Sequence, residues 1–160
     1  MKKSIVRVSL SLIFAVLMAQ FAFATSGNKT MPDSDKFGDL IHESIVDGYS
    51  LSYYFMDLRQ QAAAEKSKAT SAHGSHTKEM DKPHHIMVYI MDSNQKQVSK
   101  GKIGFLIKDA GDKKQTAMGM FMSNGFGATA DMKKKGIYTI TTKAVLGDKK
   151  LMDRFEFEIK

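Results

Sequence analysis

The sequence predicts an all-β protein, an antiparallel β-sandwich of about seven strands. Three observations predict it. Short runs of alternating apolar and polar residues recur from Tyr49 to the C-terminus. Turn signals separate them about every ten residues, the spacing of a sandwich. No segment of helical period after the N-terminal leader is long enough to pack against a sheet, and parallel sheets require such crossover helices.

The elements follow in chain order. Lys2, Lys3 and Arg7 form a positive n-region, and no charged residue occurs from Val8 to Ala24. Leu10, Leu12, Ile13, Phe14, Val16 and Leu17 make an apolar core, and Ala22-Phe23-Ala24 is a small-residue cleavage site. Residues 1–24 are therefore expected to be a cleaved signal helix, leaving an exported chain without a membrane anchor. Residues 25–40 are polar, carry Gly and Pro, and read as a flexible leader. The β-sandwich domain is expected over 41–160. Tyr49, Leu51, Tyr53 and Phe55 alternate through a first strand, with Ile41, Ile45 and Val46 as an upstream extension. Residues 59–83 have little apolar content and read as a mobile, His-bearing loop after that strand.

His85 to Met91 forms the second strand, and Asp92-Ser93-Asn94-Gln95-Lys96 turns the chain. Ile103, Phe105 and Ile107 mark the third, and Gln115 to Met122 the fourth. Asn124-Gly125-Phe126-Gly127 reads as a tight corner before a short fifth strand, Ala128 to Met132. Ile137 to Val145 is the sixth strand, with Tyr138 placed to form a tyrosine corner, its hydroxyl bonding back to nearby backbone. Gly147-Asp148 is a hairpin signal. In the closing strand, Leu151 to Ile159, Phe155, Phe157 and Ile159 face one way and Arg154, Glu156 and Glu158 the other.

Composition narrows the function. The net charge of +7 falls to about +4 once the three cations of the signal are removed, and the remaining Lys and Arg are scattered. A nucleic-acid interface needs a basic stripe with stacking aromatics, which is absent. No G-x-S-x-G, H-E-x-x-H or phosphate loop occurs, so the chain is not expected to be an enzyme. Asp39, His42 and Glu43 sit together at the edge of the leader, but nothing converges with them. There is no cysteine, hence no disulfide framework. There are 12 methionines in 160 residues, well above ordinary usage.

Those methionines are patterned. Alternate residues of a strand share a face. Met118, Met120 and Met122 therefore project from one side of their strand, and His85, Met87, Tyr89 and Met91 from one side of theirs. Thioether sulfur is a soft donor suited to Cu(I), and imidazole binds copper in either oxidation state. Two facing strands carrying these groups would make a Cu(I) site without a thiolate. Methionine is also a flexible core filler, and a Met stripe is more often packing than metal. Four of the five histidines lie within His73 to His85. His73 and His76, with His84 at the strand entry, have spacing that fits Cu(II) or another divalent ion; a solvated polar loop is the plainer alternative.

From His84 onward the chain resembles the exported YtkA-like domain, related to the periplasmic part of the FixH family. The resemblance rests on His85-Ile-Met-Val-Tyr-Ile-Met-Asp92, Lys102-Ile-Gly-Phe-Leu-Ile107, the Met-Gly-Met-Phe-Met run, Gly125-Phe-Gly-Ala128 and Lys135-Gly-Ile-Tyr-Thr-Ile140. It implies an immunoglobulin-like sandwich and a periplasmic setting. It also implies a role in copper handling, with a metal-transport or oxidase-assembly protein as partner, and it touches His85, Met118, Met120 and Met122. Two functions are expected from these readings. The first is a periplasmic copper-binding or delivery module. The second is a non-catalytic structural or interaction module with its methionines in the core.

Overall fold

The computed structural model describes residues 36–60 and 81–160. The signal segment, the leader up to residue 35 and most of the 59–83 loop, with His73 and His76, lie outside the described residues. The described residues form eight strands: β1 (Asp39–Val46), β2 (Tyr49–Asp57), β3 (His84–Met91), β4 (Lys102–Lys108), β5 (Lys114–Met122), β6 (Gly125–Ala130), β7 (Gly136–Leu146) and β8 (Lys149–Ile159). All pairings are antiparallel, in the order β1-β2-β3-β6-β5-β4-β7-β8. The all-β sandwich is thus the observed fold, closed nearly to a barrel. β5 belongs to both halves. Its residues up to Gly119 pair with β4, and Met120 to Met122 pair with β6. The outermost strands β1 and β8 meet where the Ser44 hydroxyl donates to Asp153 Oδ2 at 2.5 Å.

The strand beyond the expected seven is β1. Its sequence, DLIHESIV, alternates poorly, and its pairing with β2 slips by one residue between Leu40 and His42. That extra residue is a bulge, which breaks the period-two signal. The 59–83 loop consequently follows the second strand, not the first. Leu58 begins a helical turn and donates its amide to the Pro83 carbonyl at 2.8 Å, tying the loop's two ends together.

The corner expected at Asn124–Gly127 also lies elsewhere. Ser123 and Asn124 both have positive φ (46° and 64°) and make the turn between β5 and β6. Positive φ at two central residues is the type I′ geometry that matches the twist of a hairpin. Gly125 and Gly127 are therefore strand residues, with a consequence for the site below.

The main core lies between the two halves. Leu51, Tyr53, Ile86, Val88, Ile90, Ile103, Phe105, Ile107, Phe126, Ile140, Leu151 and Phe155 are among its buried members. Each fully buried aliphatic or aromatic side chain contributes about 1.5–3 kcal/mol, so the fold needs no crosslink. Tyr138 closes a tyrosine corner: its hydroxyl donates to the Lys134 carbonyl at 2.9 Å. β3 is buried on both faces. Ile86, Val88 and Ile90 enter the main core, while Met87 and Tyr89 join Tyr54 in a second buried cluster on the opposite face.

Candidate metal centre

The second face of β3 carries the convergent donors. His85 and Met87 are two residues apart on the strand, so both point to this face. His85 Nε2 lies 3.2 Å from Met87 Sδ. With Nε2 protonated the pair is a weak N–H···S bond; with the proton on Nδ1, both atoms offer lone pairs to the same cleft. Met122 arrives from the end of β5 and completes the group.

Gly127 makes the convergence possible. Met87 lies opposite Gly127 in the β3–β6 register. A Cβ on that glycine would stand 2.3 Å from Met87 Sδ, 2.4 Å from His85 Nε2 and 3.0 Å from Met122 Sδ. Three soft donors from two strands thus surround one point above a residue without a side chain. Gly125 clears the adjoining floor, since a Cβ there would meet the Tyr89 ring at 3.0 Å and the Met87 methyl at 3.1 Å. The donors border an open cleft of about 280 Å³, completed by Phe37, Met56, Leu58 and Ser123.

The chemistry of this set is narrow. None of the side chains lining the cleft is a carboxylate. Among the described residues, no group of three His, Cys, Asp or Glu side chains is placed to hold an ion. Hard cations need oxygen ligands. Thioethers with one imidazole instead fit a soft ion such as Cu(I). Burial pushes the His85 imidazole below its ordinary range, which favours the neutral, ligating form. For first-row metals, N and S ligands stand about 2.0–2.3 Å from the ion. A 3.2 Å gap between Nε2 and Sδ is therefore one that a single ion can bridge.

The remaining sequence candidates separate from this group. Met118 and Met120 share the outer face of β5 but are 67% and 73% exposed, against 43% for Met122 and 1% for Met87. The methionines of β5 are thus outside the core. His84 points the opposite way from His85 and is 1% exposed. Its Nδ1 accepts the Met132 amide at 3.2 Å, and its ring stacks on Phe55 at 5.2 Å. Its Nε2 faces Asp57 Oδ2 at 3.8 Å and the Arg59 guanidinium at 3.2 Å. Arg59 in turn holds Asp57 through two side-chain bonds. Burial depresses the His84 imidazole more than Asp57 raises it. His84 is therefore engaged within the fold through Nδ1, with Nε2 turned toward Asp57.

Sequence reasoning missed Met56. It lies directly opposite His85 in the β2–β3 register and lines the same cleft, a fourth thioether beside the donors. Cross-strand partners on one face have Cβ atoms about 4.5–5.5 Å apart, so register alone reveals it. A further cleft, of about 300 Å³, lies around Asp81, Asp109, Asp131 and Lys134. There Lys134 pairs with Asp109 at 3.4 Å, and no soft donor enters.

No family model matches the chain, and no curated protein matches it. The YtkA-like resemblance accordingly stands on its quoted motifs alone. Solved structures do match. A DUF4426 family protein from Pseudomonas aeruginosa overlays with a TM-score of 0.53 at 13% identity, covering 74% of this chain and 96% of that one. FetP of uropathogenic E. coli, recombinantly expressed in the periplasm, overlays with a TM-score of 0.53 at 12% identity, covering 76% and 95%. A copper-bound FetP variant gives 0.49 at 13% identity, covering 73% and 93%. At such identities the two overlays at 0.53 establish a common fold and nothing further. No helix among the described residues is long and apolar enough to cross a membrane.

Proposed function

We propose that this protein is an exported, non-catalytic module that binds Cu(I) through His85 Nε2, Met87 Sδ and Met122 Sδ. The observation that carries the proposal is the convergence of these three atoms above Gly127. A core filled with methionine would bury those side chains; here Met122 stays open to solvent while Met87 and His85 sit beneath it. That arrangement suits an ion that must enter and leave. An all-thioether and imidazole shell also avoids free thiols, which oxidising compartments endanger.

Export is supported by the n-region, apolar core and Ala22-Phe23-Ala24 of the N-terminus. The role is buffering or delivery, with a metal-transport or oxidase-assembly protein as the receiving partner. A Cu(II) or other divalent site drawing on His73, His76 and His84 is disfavoured, because His84 would have to abandon the Met132 amide and leave the core.

The test is an anaerobic Cu(I) titration of the mature protein against a chromogenic chelator. One equivalent is expected to be withheld from the chelator, and His85→Ala or Met87→Leu to surrender it. Retention by both variants would remove this site from consideration.

A further inference from the structure

Met118 and Met120 are left without a role by the site just described, and their placement is not that of ordinary packing. We infer that they form a thioether path along β5 by which Cu(I) reaches and leaves the His85–Met87–Met122 site, serving exchange and not retention. The inference rests on the Cu(I) reading above.

Three observations carry it. Met118, Met120 and Met122 share one face of β5, at steps of about 6.6–6.8 Å. Exposure is high at the first two, intermediate at Met122 and almost nil at Met87, so the thioethers run from solvent to the buried donors. Met120 lies opposite Gly127, and Gly127 lies opposite Met87. Met120 and Met87 therefore flank one glycine, over which Met122 Sδ and His85 Nε2 also lie. The outer end has a similar floor. Met118 pairs with Gly104, and its Sδ would be only 3.6 Å from a Cβ built there, so the sulfur lies flat over a second glycine.

Methionine has three rotatable bonds and a polarisable sulfur. Neighbouring thioethers can thus swing to share an ion before the first releases it. The transfer is ligand exchange at constant oxidation state: one S–Cu contact forms as another breaks, and no electron or proton moves. A group that lowers the barrier to exchange accelerates entry and exit alike and leaves the equilibrium unchanged. A ligand of the resting site acts mainly on the off-rate.

The experiment follows Cu(I) loading from its acetonitrile complex, and release to a chelator, by stopped flow under anaerobic conditions. Wild type is compared with Met118→Leu/Met120→Leu and with Met122→Leu. Met152→Leu, another exposed methionine but on β8, is the control. Far-UV circular dichroism checks each fold, and Met118→Ile/Met120→Ile is a second path variant with a strand-favouring side chain. The path variants are expected to keep the wild-type Kd within about two-fold and to slow loading and release together by about ten-fold, the effect of roughly 1.4 kcal/mol on a barrier. Met122→Leu is expected to weaken binding, and Met152→Leu to change nothing. Unchanged rates in the path variants overturn the inference while leaving the site intact. A weakened Kd in them overturns it by making Met118 or Met120 a ligand, and equal slowing by Met152→Leu overturns it by removing any direction. Failure of wild type to hold Cu(I) removes the underlying reading and the path with it.

Discussion

Gly127→Ala is the sharpest single perturbation of the proposed centre, because it adds one methyl where three donors meet. Gly127 does not have positive φ, so alanine introduces no backbone strain. By itself, fewer unfolded conformations would then favour the variant by about 0.4–1 kcal/mol. Packing acts the other way. Non-bonded heavy atoms rest at about 3.5–4.0 Å. Met87 Sδ, 2.3 Å from the new Cβ, must retreat by about 1.2 Å or more, and His85 Nε2, at 2.4 Å, by about 1.1 Å. Met87 is enclosed by Tyr54 and Tyr89, which limits where it can go. Overpacking of this kind costs about 1–3 kcal/mol, leaving a net loss near 1 kcal/mol once the backbone gain of about 0.4–1 is subtracted. The fold survives. The donors, however, no longer point at one position. Disturbing even the partners of metal ligands lowers affinity by about 10–100-fold, and displacement of the ligands themselves is expected to reach the upper end, near 100-fold. Urea denaturation reads the stability, and chelator competition reads the affinity. Gly104→Ala, whose Cβ would make an ordinary 3.6 Å contact with Met118, is the matched control and should retain the wild-type affinity. A folded Gly127→Ala protein with undiminished Cu(I) affinity would refute the assignment of these three atoms.

Other outcomes are expected from the same structure. Tyr138→Phe removes the hydroxyl that bonds the Lys134 carbonyl, and should lower stability by about 1 kcal/mol in urea denaturation. Gly38→Ala should cost about 2 kcal/mol or more by the same assay. Its φ is +91° and its Cβ would press on the Phe55 carbonyl, so strain and overlap act together. Stability should also fall on acidification. Burial holds His84 and His85 below the ordinary imidazole value of 6.5. Between that value and the depressed folded values, the unfolded chain binds protons that the folded chain does not. The two histidines thus favour folding above pH 6.5 and lose that contribution as pH falls through the depressed values. Thermal denaturation scanned from pH 7 to pH 5 should show it, and His84→Asn should flatten the dependence; an equally steep profile in that variant would exclude His84 as a source.

Alternation made most of the sandwich legible. β8 reads from Phe155, Phe157 and Ile159 against Arg154, Glu156 and Glu158, and β5 from its methionines. The sequence did not show which face was inner, because an apolar stripe on an outer face looks the same as one turned to the core. β1 was obscured by its bulge and by polar residues such as His42 and Ser44, whose partner Asp153 is more than a hundred positions away. The site was half visible. His85, Met87 and Met122 could be picked by residue type, yet their meeting depends on the register of β3 on β6 and of β6 on β5. Met56 depends on the register of β2 on β3. Glycine is commoner in turns, so the glycines of β6 suggest a corner in the sequence, whereas in the fold they hold space open for sulfur.

The meeting of β1 with β8 bears on how the rims of the sheet are covered. A strand at the rim of a sheet offers unpaired amides and carbonyls to any passing chain. Here the first and last strands shelter each other through Ser44, His42 and Asp153. Neither is protected until the final residues have arrived. A chain halted after Gly147 would lack β8, and β1 and β7 would stand at the rims without that contact. The β7–β8 hairpin in this sense brings one rim of the sheet over the other.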